Sequence, residues 1–190
     1  YLGMLGSQQD IDFVKKQLES ETYIDWTCEY LQSLGQYGDA NNVELIISFL
    51  VSDDYDIREY SFEAFYLITG TRNDIDIEIT EDDCDEEDCV GILTDWWNKN
   101  KSKFNLNKRY DEGKPLSIHK FISDLLSPDT STRGHAAEKL VAYTNVVFPF
   151  NEYGFVRQRR TQQLAWQEWY DHNKDRFQEG YWYRDGKRLN

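Results

Sequence analysis

The sequence predicts an all-α protein built as an α-solenoid of stacked helical pairs, and three observations predict it. Apolar residues recur at helical spacing in several separate segments. The stretch from Asp95 to Leu116 is written again 73 positions later, from Glu168 to Leu189. Trp 6, Tyr 13 and Phe 10 accompany only Pro 3 and Gly 11 in 190 residues, a composition suited to packed helices. The length suits one domain with a real core. No apolar run approaches the ~20 residues that cross a bilayer. Tyr1 in place of an initiator Met, with no signal peptide, predicts that the sequence starts inside a longer chain.

The first repeat unit covers residues 1–39. YLGMLGSQQDI (1–11) returns as SLGQYGDANNV (33–43), so that Gly3 falls on Gly35, Gly6 on Gly38 and Ile11 on Val43. Each copy is expected to end a helix near a glycine, which tolerates the left-handed conformation, before a polar residue caps the next helix. Ile11, Val14 and Leu18 give a thin apolar stripe. In the second unit, 40–70, Val43, Ile46, Ile47, Leu50 and Val51 stand at i, i+3, i+4, i+7 and i+8, one face of a helix. The polar link SDDYD (52–56) follows, then Arg58 and a second helix with Ile57, Tyr60, Ser61, Ala64, Phe65 and Ile68 as its buried stripe. Unit 117–145 repeats the plan: Ile118, Phe121, Ile122, Leu125 and Leu126, the link SPDTS (127–131), Arg133, then a helix with small Ala136 and Ala137.

An acidic insert, 71–88, interrupts the helices. Ile75, Ile77 and Ile79 alternate with acids as in a strand, and the run from Glu81 to Asp88 is almost wholly acidic. Its plain reading is a solvated, self-repelling loop. The sharper one makes Asp82, Asp83, Asp85, Glu86, Glu87 and Asp88 the docking contacts for a basic protein partner. Asp74, Asp76 and Glu78 alternate as in a calcium loop, but no Gly follows for the sharp turn.

The doubled stretch makes the units 89–116 and 157–190. Trp96 falls on Trp169, Asn100 on Asn173, Lys101 on Lys174, Phe104 on Phe177, Tyr110 on Tyr183, Gly113 on Gly186, Lys114 on Lys187 and Leu116 on Leu189. Asp185-Gly186 between YWYR and KRLN is a two-residue hairpin signal, and a similar turn is expected around Gly113. Trp96 and Trp169 are read as structural, tucking the following tail onto its own repeat. The second choice for a partner surface is Trp97 with Arg157, Arg159 and Arg160, residue types that anchor interfaces.

Charge sorts the function classes. Residues 1–95 hold 4 Lys/Arg against 24 Asp/Glu, and residues 96–190 hold 17 against 11, for a net charge of -14. Duplex nucleic acid and anionic membranes need clustered cations, so this balance argues against both and favours a basic protein partner. Three cysteines make no disulfide framework, which points to a reducing, cytoplasmic setting; Cys84 and Cys89 could pair or bind a metal across their gap. His119, His135 and His172 stand apart, His135 where a partly buried residue is expected. No nucleophile elbow, Walker loop, HExxH or dinucleotide glycine pattern occurs, so neither catalytic residues nor a cofactor or metal is assigned. Stacked repeats of this kind expose long surfaces suited to holding a partner.

The segments LIISFLVSDDYDIREYSFEAFYLITG and FISDLLSPDTSTRGHAAEKLVAYTN resemble HEAT repeats, each an apolar helix, an Asp and then an Arg opening a second helix. The resemblance implies that Asp54, Arg58, Asp129 and Arg133 are structural, capping and bridging successive units. More narrowly, Leu67 to Gly70, Trp96, Trp97, Asn100, Phe104, Arg109, Tyr110, Gly113, Pro115 and Leu116 resemble a bacterial HEAT-containing family often encoded beside type VI secretion genes. Its pattern is LITG, an acidic insert, then WW…N…F…G.RY..G.PL. Asn107 departs from the pattern's Gly before Arg109, and Trp182 replaces that Arg in the second copy. The resemblance implies an accessory or immunity protein of such a system. The alternative is a HEAT-like nucleic-acid-binding or base-modifying enzyme, like the HEAT-like DNA glycosylases, working through Arg157, Arg159 and Arg160 beside Trp166 and Trp169.

Overall fold

The computed structural model describes residues 8–72, 75 and 86–189, with the backbone alone for 86–88. Among these residues 66% are helical. An ordinary globular domain has about a third, so the all-α expectation holds. The chain divides into two compact units, Tyr1–Pro115 and Leu116–Asn190.

In the first unit, α1 (Gln8–Leu18) buries Ile11, Val14 and Leu18. It packs on α2 (Ile24–Tyr37), which ends at Gly38 in the left-handed conformation, φ 75°. Asp39 then accepts a hydrogen bond from the Asn41 amide and caps the turn into α3 (Val43–Ile47). Val43, Ile46, Ile47 and Leu50 are buried as their spacing predicts, but Val51 is 57% exposed. The reason is a change of pitch: from Ser48 to Val51 the helix tightens into a 3-10 turn, which moves the last apolar position off the buried face. After the link comes α4 (Tyr55–Thr69). Its buried stripe is Arg58, Ser61, Phe62, Ala64, Phe65 and Ile68, so Ile57 and Tyr60 sit at the edge rather than in the core.

The most extensive packing in this unit is between α2 and α4. It depends on a close approach: a Cβ on Gly35 would lie 2.7 Å from Ala64 Cα. Leu31, Leu34, Phe65 and Ile68, fully buried, fill the seam. At roughly 1.5–3 kcal/mol for each large apolar side chain buried, these four dominate the local energetics.

The second unit follows the same plan with α6 (Ile118–Asp124), α7 (Thr130–Thr144) and α8 (Val156–Asn173). The first unit's counterpart of α8 is α5 (Glu86–Asn100). In both units the interhelical link is held identically. Asp54 accepts from the Ile57 amide at the N-terminus of α4, and Asp129 from the Thr132 amide at that of α7. Arg58 is 7% exposed and donates to the Ser52 carbonyl at 2.8 Å; Arg133 is 5% exposed and donates to the Ser127 carbonyl at 2.7 Å. A guanidinium donating to the carbonyls of its own link is a structural clamp, not a surface charge. Arg133 adds Pro128 and Glu152 carbonyls, tying the segment that precedes α8.

The doubled stretch folds twice in one way. The helix ends in an Asn whose side-chain amide donates to the Trp one turn back: Asn100 to Trp96 and Asn173 to Trp169, both 2.8 Å. A 3-10 turn follows, then an aromatic pair, Phe104–Tyr110 at 4.9 Å and Phe177–Tyr183 at 5.0 Å. The tyrosine hydroxyls accept from the Asn105 and Gln178 amides. Two-residue strands close each unit, β1 (Tyr110–Asp111) with β2 (Lys114–Pro115) and β3 (Tyr183–Arg184) with β4 (Lys187–Arg188). Both turns put two residues in the left-handed region, Glu112-Gly113 and Asp185-Gly186, the type I′ geometry that the Asp-Gly pair predicts.

These hairpins cap helices. The amides of Glu112 and Gly113 donate to the Leu67 and Ile68 carbonyls at the end of α4. The amides of Asp185 and Gly186 donate to the Ala142 and Tyr143 carbonyls at the end of α7. Carbonyls left without helical partners are thus satisfied from a segment over forty residues downstream. The 75-residue shift of the helical pairs and the 73-residue shift of the Trp segments therefore belong to one duplicated unit, not two independent repeats.

Candidate functional site

The acidic run chosen from the sequence begins outside the described residues, which take in neither Asp82, Asp83 nor Asp85. Glu86, Glu87 and Asp88 form the first turn of α5. Cys84, the other half of the pairing and metal readings, also lies outside the described residues; Cys89 itself is buried and disulfide-bonded. Of the strand-like Ile75, Ile77 and Ile79, the structure describes Ile75, which is buried.

The second-choice surface is not assembled as expected. Trp97 is 4% exposed and packs against Phe104 at 5.4 Å, so its ring is core and offers no face to a partner. Cys89, Leu93 and Trp97 stand one turn apart and make the buried line of α5, which leaves Trp96 beside it, half-buried and edge-on to Phe65 at 5.8 Å. Trp169 is likewise half-buried, against Trp166 and Phe177. Trp166 is 1% exposed, so both faces of that ring are already covered. Arg159 is half-buried and donates to the Glu152 carbonyl, whereas Arg157 and Arg160 are exposed. His135, expected to be partly buried, is exposed on α7, since the buried line there runs through Arg133, Ala136 and Leu140.

A different acidic surface is well formed, on α2 and α4. Along α2, Asp25, Glu29 and Gln32 recur at i, i+4 and i+7; along α4, Asp56, Glu59, Tyr60 and Glu63 recur at i, i+3, i+4 and i+7. Because the two helices pack along Gly35 and Ala64, these stripes flank one seam. Cys28, 6% exposed, registers their field: burial first, then Asp56, Asp54, Asp25 and Glu29, push its thiol up to about 11. Burial, followed by Cys28, Glu29, Glu59 and Asp56, raises Tyr60 as well. Carboxylates from both helices therefore act on the same two side chains.

Among the described residues no Lys or Arg lies within ion-pair distance of Asp25, Glu29, Asp56 or Glu59. Arg58, the nearest in sequence, is withdrawn to the Ser52 carbonyl. Aromatic rings border the acids: Tyr23 is 71% exposed and Trp26 57%, and Trp26 stacks on Tyr30 with centroids 6.3 Å apart. A groove of about 310 Å³ runs between the helices, lined by Gln32, Glu59, Tyr60, Glu63, Ala64 and Leu67. At its edge Arg72 pairs with Glu63 Oε1 and lies over the Tyr66 ring, 4.4 Å from the centroid.

The sequence carried one signal of this face: acids at i, i+4 on the polar side of two amphipathic helices with no Lys or Arg to pair them. That α2 and α4 lie side by side was not written in either stripe. Elsewhere in the unit Arg109 reaches Asp39 at 3.4 Å, Gln8 and Tyr37. The chain matches no protein-family model, no curated protein and no solved structure.

Proposed function

We propose that the protein is a non-enzymatic protein-binding module of the cytoplasm that holds a partner with a basic surface. The observation that supports this best is the α2–α4 face, where Asp25, Glu29, Asp56 and Glu59 stand without cations beside exposed Tyr23 and Trp26. Unpaired like charges repel one another and are relieved by a partner of opposite charge, while Trp and Tyr supply the contact area that anchors interfaces. The acidic run 82–88 belongs to the same half of the sequence and adds to the negative charge by which a cation-rich partner is steered. The resemblance to HEAT proteins encoded beside type VI secretion genes narrows the role to an accessory or toxin-neutralising immunity protein, in which an acidic module covers a cationic toxin or component.

The test is a pull-down from the source cells followed by association kinetics of the captured protein. The variant Asp25→Asn, Glu29→Gln, Asp56→Asn, Glu59→Gln is expected to keep its fold and to associate about tenfold or more slowly. A captured protein with an acidic surface, or one that binds the variant at the wild-type rate, would overturn the reading. Retention of duplex DNA at moderate salt would instead favour the nucleic-acid alternative through Arg157, Arg159 and Arg160.

A further inference from the structure

We infer that the groove between α2 and α4 receives an arginine side chain of the partner, an assignment that rests on the protein-binding function proposed above. The groove has two chemistries in one volume. Half-buried Leu67, beside Ala64 where α4 packs on α2, gives an apolar patch on which the methylene stem of a long side chain can lie. Glu59 and Glu63, one turn apart on α4, and the amide of Gln32 on α2 supply acceptors along the walls. An apolar patch with acceptors at the rim suits a cation carried on an aliphatic stem and disfavours an anion or a wholly apolar group. Its volume of about 310 Å³ lies at the low end for small-ligand sites, enough for a side chain rather than a folded element.

The choice of arginine follows from the aromatic ring on the same wall. Tyr60 lines the groove beside Glu59, and a guanidinium is planar, weakly hydrated and able to stack on a ring while donating to a carboxylate. The chain performs this recognition once already, since Arg72 pairs with Glu63 while lying over Tyr66. Glu59 and Tyr60, adjacent on α4, bring a carboxylate and a ring to the groove, and among the described residues no cation is paired with that carboxylate or stacked on that ring. Around the groove, Asp25, Glu29 and Asp56 on the flanking turns add attraction for further cations in the same segment.

The experiment uses the full chain and a capped peptide of two arginines spaced by glycines, with lysine and glutamate versions as comparisons, followed by amide chemical shifts. The arginine peptide is expected to move the amides of Gln32, Tyr60, Ala64 and Leu67. Glu59→Gln with Glu63→Gln should weaken it about tenfold or more, while the six-fold neutralised run (Asp82, Asp83, Asp85, Glu86, Glu87 and Asp88 to Asn or Gln) leaves the groove shifts in place. The lysine peptide should bind several-fold more weakly, and the glutamate peptide not at all. Equal binding of lysine and arginine overturns the guanidinium assignment. Shifts that avoid the groove and vanish only with the neutralised run overturn the groove yet leave a basic partner standing. No shift with any cationic peptide, while the captured partner still depends on the α2–α4 acids, also overturns the groove alone. Failure of both peptide and partner to respond to either set of acids removes the function as well.

Discussion

Gly113 and Gly186 hold the same turn position in the two hairpins, yet their surroundings differ. Both are left-handed, with φ 74° and 71°. A Cβ at Gly113 would lie 2.5 Å from the Thr69 carbonyl oxygen, backbone that cannot swing aside; at Gly186 the nearest atoms are Arg176 Nη2 at 3.2 Å and the Thr144 oxygen at 3.7 Å. Gly186→Ala should therefore cost about 1 kcal/mol, the left-handed penalty alone, and Gly113→Ala about 2 kcal/mol or more, read as the difference in urea midpoints. Cys28 makes a second residue-scale prediction. Its folded thiol is raised from 9.0 to about 11, chiefly by burial. Below pH 9 it is neutral in both states; above that the unfolded chain ionises first, so stability falls until the folded thiol also ionises near pH 11. Urea titrations from pH 8 to 10.5 should show this extra loss in wild type and not in Cys28→Ala. At this scale the sequence was a partial guide. WW at 96–97 announced a buried aromatic, but which of two adjacent rings turns inward depends on the angle at which α5 meets its neighbours, and that angle is set by packing.

Elements were more legible, because spacing and caps are local. The stripes from Val43 and from Ile118 each produced a helix, and the Asp-Gly signal produced the hairpin. Their limits came from backbone geometry that a stripe does not encode, such as the 3-10 turn that exposes Val51. The Asp–Arg pairs, expected to cap and bridge, hold the link of their own helical pair, and Arg133 also reaches beyond it to the Glu152 carbonyl. Asp54 caps α4 and Arg58 clamps the link before it. Asp54→Ala should cost about 1 kcal/mol, the worth of an N-cap, with a corresponding drop in melting temperature. At the second cap, the Thr132 amide bond is the main cause that holds the Asp129 carboxyl below its ordinary value. A depressed carboxylate stabilises the fold above its unfolded pKa and loses that contribution as pH falls through the folded one. Acid titration of Asp129→Asn should accordingly show a shallower loss than wild type.

At the scale of the whole molecule, duplication and charge are separate facts. The duplicated unit is visible as two shifts, 75 and 73, whose common origin appears only when the hairpin amides are found on the helix ends. Charge asymmetry was legible at once, as 4 Lys/Arg against 24 Asp/Glu in residues 1–95. What could not be read was its distribution, since the dense run at 82–88 draws the eye while the α2–α4 acids are scattered over forty residues of sequence. No described helix is long and apolar enough to cross a membrane.

The most direct measurement is the association rate of the captured partner with three proteins: wild type, the α2–α4 variant (Asp25→Asn, Glu29→Gln, Asp56→Asn, Glu59→Gln) and the neutralised run. Each is followed from about 0.02 M to about 0.15 M salt, where the Debye length shrinks to about 8 Å. The rate for wild type should fall steeply with salt; the α2–α4 variant should start about tenfold or more lower and lose most of that dependence, with its melting temperature unchanged or slightly raised. The neutralised run should keep more of the wild-type rate than the α2–α4 variant does. An α2–α4 variant that associates at the wild-type rate with the wild-type salt dependence would contradict the account.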